Sequence, residues 1–141
     1  MRPEQLFSIA NLIAIFGWLL LAILPRWKFT RAAVLSGAVP LFLSLAYAVL
    51  IAVFFGSAEG GFGSLPDVMK LFTNEWVVLA GWLHYLTFDL FVGTWEVKEA
   101  QANGISHWLV VPCLFLTFMF GPAGYLAFSI LKFFVTKRGE K

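Results

Sequence analysis

The chain has 141 residues, 60% of them hydrophobic and only 13% charged, with a formal net charge of +2. Its mean hydropathy is +0.84, whereas soluble domains are nearer half apolar and about a quarter charged; the composition excludes a soluble domain and gives an integral membrane protein. The small charge, with no long basic run, excludes nucleic acid as a partner, and the single cysteine, Cys113, excludes an internal disulfide and a thiolate metal cluster.

This length suits one transmembrane domain over residues 1–141: an all-α, integral membrane four-helix bundle with short loops. No Arg-rich transit peptide is expected, because the apolar run begins almost at once after Met1. Pro25-Arg26-Trp27 offers no small-residue site for signal cleavage.

Helix one is expected over about residues 5–24, the roughly 20 residues needed to cross the hydrocarbon core. Asn11 is its one strongly polar interior residue and reads as a hydrogen bond to a neighbouring helix. Pro25 ends it. The loop RWKFTR carries Arg26, Lys28 and Arg31, a positive-inside signal. Helix two is expected over about residues 32–55. Ser36, Pro40, Ser44 and Tyr47 fall within about 80° on it, a small and polar packing face, with Pro40 a candidate kink. Gly56, Gly60, Gly61 and Gly63 then mark a flexible connection, and Asp67–Asn74 reads as a short interfacial helix.

Helix three, over about residues 75–97, is the centre of the chain. It is apolar yet carries His84 and Asp89 in its middle. An acid inside a bilayer costs a few kcal/mol on insertion scales, so such residues mark function by default. Glu75, Val78, Trp82, Tyr85, Asp89, Gly93 and Glu96 lie within about 80° of one another on the wheel. His84 lies about 140° from Asp89 and points to a different neighbour.

Asn103-Gly104 is a turn signal, and Ser106 a candidate N-cap. Helix four is expected over about residues 108–134, one span kinked at Gly121-Pro122. Pro122 frees a carbonyl near Phe118, which protein or water must satisfy. With four spans, Arg26, Lys28, Arg31 and Lys98 share one side. Arg2, Lys70, Lys132, Lys137, Arg138 and Lys141 share the other. The basic loop and the basic tail thus argue for opposite orientations, which leaves the orientation open.

The segment GWLHYLTFDLFVGTWEVKEA, followed by GISHWLVVPCLFLTFMFGPAGYL, resembles the plant abscisic-acid-deficient-four family and its bacterial relatives. The resemblance covers about Leu71 to Tyr125 and, more loosely, the first two helices. It implies a carotenoid-related role, because the plant members are plastid membrane proteins needed to make neoxanthin from violaxanthin. With no plastid targeting segment, the chain is expected in a bacterial inner membrane.

Opening a carotenoid epoxide to an allenic alcohol delivers one proton to oxygen and removes one from a neighbouring vinylic carbon. No net redox occurs and no cofactor is expected. The reaction needs a general acid and a general base. Asp89 is the first choice, with His84 or Glu96 as partner. Trp82, Tyr85, Trp95, Tyr47 and Thr117 are the candidate ligand-binding residues. Spacing argues against a haem with two axial histidines, since His107 precedes helix four while His84 lies about 13 residues, roughly 20 Å, inside helix three. No metal site is expected. The partners are membrane lipid and a carotenoid or other apolar ligand, with a homo-oligomer or a photosynthetic complex as the assembly. The alternatives are a non-catalytic pigment-binding or assembly subunit of such a complex, and a small proton-coupled transporter.

Overall fold

A computed structural model describes residues 2–139; the end of the KRGEK tail lies outside them. The described chain is all helical. It contains α1 (Pro3–Ile23), α2 (Ala38–Phe54), α3 (Leu65–Leu71), α4 (Glu75–Ala102), α5 (His107–Phe120) and α6 (Pro122–Gly139). Among the described residues, three stretches are long and apolar enough to cross a membrane: Pro3–Ile23, Lys28–Ser57 and Glu75–Ala102.

The second of these is not one uniform helix. A π-helical turn, Arg31–Leu35, leads into Gly37, whose φ of 87° breaks the helix. The sequence reading put the kink at Pro40. The break at Gly37 instead leaves Pro40 in the first turn of α2, where a missing N–H has no helical partner to lose. The glycine-rich connection closes on α3, whose first turn is capped by Ser64 accepting from the Asp67 N–H. Lys70 hydrogen-bonds Glu59 across this connection and holds its carboxyl below the ordinary range.

The central helix, α4, starts where expected, with Asn74 capping it by accepting from the Trp76 and Val77 N–H groups, but it runs on past residue 97 to Ala102. Gly104, at φ 64°, then turns the chain, and the Ile105 N–H closes back on the Ala100 carbonyl. Ser106 occupies the N-cap position of α5, but its side chain makes no capping bond.

Both α1 and α4 run in the same direction. Trp82 Nε1 donates to Asn11 Oδ1 at 2.9 Å, Trp18 lies on Gly93, and His107 Nε2 sits 2.9 Å from the Ala22 carbonyl. The expected interhelical bond of Asn11 is therefore present. Ala10, Ala14 and Gly17 form the small-residue stripe that brings α1 close to α4, with Leu90 against Gly17. The α2 helix runs the other way: Phe54 stacks on Trp76 and Tyr47 lies beside His84.

The largest departure from the sequence reading is at the C-terminal end. The expected single kinked span over residues 108–134 is two helices, α5 and α6, folded into a hairpin at Gly121-Pro122. Gly124 lies on the backbone of Thr117, so the arms touch just behind the tip. Tyr125 and Phe128 then pack on Trp95, and Lys132 pairs with Glu99 one turn further toward the C-terminus of α4. α6 therefore returns toward the end of α4 from which α5 set out. With 14 residues, α5 is about 21 Å long, short of the roughly 30 Å hydrocarbon core. The expected four-helix bundle becomes three stretches of spanning length and one hairpin whose tip lies beside the middle of α4.

Candidate functional site

The hairpin divides the polar stripe of α4 in two. Where α5 and α6 cover it, Asp89, Gly93 and Glu96 are buried; before the tip, Glu75, Val78 and Trp82 are exposed. Asp89 is 8% exposed and Glu96 is fully buried. The two are seven residues apart, two turns or about 10 Å along the axis. Side chains on a helix lean toward its N-terminus, so the longer Glu96 reaches back toward Asp89.

The Asp89 carboxyl rests against Gly121 at the tip. A Cβ there would lie 2.5 Å from Asp89 Oδ1, and the φ of 38° also favours glycine. The carboxyl thus sits at the start of α6, the positive end of that helix dipole. Asp89 Oδ2 and Glu96 Oε2 are buried without a hydrogen-bond partner. Among the described residues, the ion pairs are Lys70–Glu59 and Lys132–Glu99, so no cation compensates either acid. A buried carboxyl with neither a cation nor full hydrogen bonding is expensive.

The two neighbours of the acids are well defined. Tyr85 donates its hydroxyl to the Phe118 and Met119 carbonyls, 3.1 Å from each. These are the carbonyls freed by the break at Pro122, so the sequence-level demand for a partner near Phe118 is met by Tyr85. Thr117 Oγ1 lies 2.7 Å from Glu96 Oε1 and 3.0 Å from the Cys113 carbonyl. Replacing Thr117 with valine keeps the shape but removes the one partner of Glu96; it is expected to cost about 1–3 kcal/mol, read as a lowered midpoint of thermal unfolding in detergent.

The other sequence candidates divide. Trp95 lies at the α4–α6 contact, one residue from Glu96, with ring centroids 5.4 Å from those of Tyr125 and Phe128. Trp82 spends its N–H on Asn11 and stacks on Tyr85. His84 lies on another face of α4, against Tyr47 of α2, and neither joins the acids. This fits the 140° separation. Trp18 and Gly121 were missed: Trp18 reads as one more apolar residue, and the glycine's role appears only once the hairpin is closed.

A groove of about 330 Å³ runs between α1 and α5, lined by Ile15, Trp18, Leu19, Leu114, Phe115 and Phe118 among others. Its wall, Trp18, rests on Gly93, midway between Asp89 and Glu96. Among the described residues no cluster of three or more His, Cys, Asp or Glu is placed to hold a metal ion.

These features define an all-helical membrane protein with two uncompensated acids buried under a helical hairpin, Asp89 at its tip and Glu96 behind it, beside an apolar groove. The chain belongs to the ABA DEFICIENT 4-like family, which matches residues 5–128. The family seen in the central segment thus extends over the first two helices as well. Comparison with curated proteins and with solved structures gives no match.

Proposed function

We propose that this chain is a carotenoid isomerase that works within the bilayer, with Asp89 as the general acid and Glu96 as its partner base. Family membership supports the carotenoid-related role. The observation that carries the chemistry is the pair itself: two buried acids on one face of α4, neither balanced by a cation. His84, the other partner considered from sequence, faces a different cavity and leaves Glu96 as the base.

In this reading the apolar chain of the carotenoid lies in the groove between α1 and α5, and its oxygen-bearing end group passes Trp18 to reach the acids. For an epoxide, Asp89 gives a proton to the oxygen as the carbon–oxygen bond breaks. Glu96 takes the proton from the neighbouring vinylic carbon, and its electron pair forms the new double bond of the allene. Atoms and charge balance, with one proton given and one taken, and the product is an isomer. General acid–base catalysis of this kind contributes about 10²–10⁴-fold.

The hairpin also supports one orientation. Arg26, Lys28, Arg31, Lys98, Lys132 and Lys137 now share one end of the bundle, against Arg2 and Lys70 at the other. The positive-inside rule then puts the basic end on the cytoplasmic side of a bacterial inner membrane.

The test is expression in a host that accumulates violaxanthin, followed by pigment chromatography. Appearance of neoxanthin supports the reading. Pigment that co-purifies with an unchanged profile favours a non-catalytic binding subunit. An unchanged profile with no bound pigment ends the carotenoid reading.

A further inference from the structure

The structure holds a second cavity, away from both acids. It has a volume of about 290 Å³ and lies between α2 and α4, under the connection that carries Phe62 and Phe72. His84 and Tyr47 line it, their ring centroids 5.6 Å apart. His84 is nine residues into α4, about 14 Å from its start, so its imidazole lies at hydrocarbon depth. Its neighbours Trp82 and Tyr85 each bond another helix. His84 lines the cavity from an exposed position, and among the described residues no hydrogen bond satisfies either of its ring nitrogens. In hydrocarbon an unpaired polar group is costly.

The cavity is shaped to be occupied. Phe72 lies on Gly81, where a Cβ would come within 2.8 Å of its ring, so the glycine allows the roof to close down on α4. Phe55 and Phe62 stack at 5.6 Å on the same side. No charged side chain lines the cavity, which argues against a phosphate or ammonium headgroup. Aromatic walls with one imidazole and one phenol suit a flat, uncharged ring bearing oxygen: both side chains can donate or accept a hydrogen bond.

We infer that His84 and Tyr47 form a separate binding site for the oxygen-substituted ring of a membrane-soluble isoprenoid, its tail leaving into the bilayer. The same chemistry is offered by two sources, the hydroxylated end group of a carotenoid and the head of an isoprenoid quinone. This site goes beyond the proposed isomerase and does not depend on it.

The test uses the purified full chain, delipidated in mild detergent and titrated separately with zeaxanthin and with decylubiquinone, with tryptophan quenching as the readout. One probe or both should bind saturably, and the one that does identifies the source. His84→Phe and Tyr47→Phe should each weaken binding about tenfold, the scale of one hydrogen bond, while Asp89→Asn binds as the native chain does. Tyr47→Phe removes only a hydroxyl, so it carries the test if His84→Phe does not fold. Binding of neither probe, equal binding by the folded variants, or loss of binding in Asp89→Asn would overturn the inference.

Discussion

Asp89→Asn is expected to stop carotenoid isomerisation, by a hundredfold or more, while leaving the protein folded. Asparagine has nearly the same size, so the fit against Gly121 is kept. What it lacks is the proton to give. A purely structural role for Asp89 predicts the reverse pattern: an amide still accepts hydrogen bonds and removes an uncompensated buried charge, so activity would persist. The measurement is pigment chromatography of the violaxanthin host expressing each variant, with unfolding midpoints of the purified proteins alongside. Full conversion by a folded Asp89→Asn would sink Asp89 as the acid. Glu96→Gln in the same assay separates the pair: it should also lose turnover, with the substrate still bound in the groove.

Much of this site could be read before any coordinates. The wheel of the central helix put Asp89, Gly93 and Glu96 on one stripe and His84 on another, because helical geometry is local and 3.6 residues per turn fixes it. The partner for the carbonyls near Phe118 was likewise demanded by Pro122, and only its identity, Tyr85, needed the structure. The hairpin was not legible, for a physical reason. An apolar run of spanning length with a Gly-Pro pair in it is compatible with a kink or with a reversal. What decides between them is tertiary: Gly124 on Thr117, Trp95 on Phe128, and Lys132 on Glu99. One sequence clue did exist. The tail and the RWKFTR loop are both basic, which conflicts under four spans and agrees under three spans and a hairpin.

Gly124→Ala is expected to be the most damaging small substitution in the chain. The new Cβ would fall on the backbone of Thr117, which cannot rotate away as a side chain could. The arms must part, and overpacking of this kind costs about 3 kcal/mol or more where the backbone is the obstacle. The loss spreads, because parting the arms also withdraws Thr117 from Glu96 and Phe128 from Trp95. The unfolding midpoint should fall sharply, and turnover should fall with it. The topology itself is checked in a Cys113→Ser background with single cysteines and a membrane-impermeant maleimide. Asn103→Cys and Thr136→Cys should label from one side of the membrane and Gly63→Cys from the other. Labelling of Thr136→Cys from the side of Gly63→Cys would make the last segment a full span. In that case Gly121 would be a kink in a continuous helix, and Asp89 would no longer lie at the tip of a hairpin that ends at mid-depth.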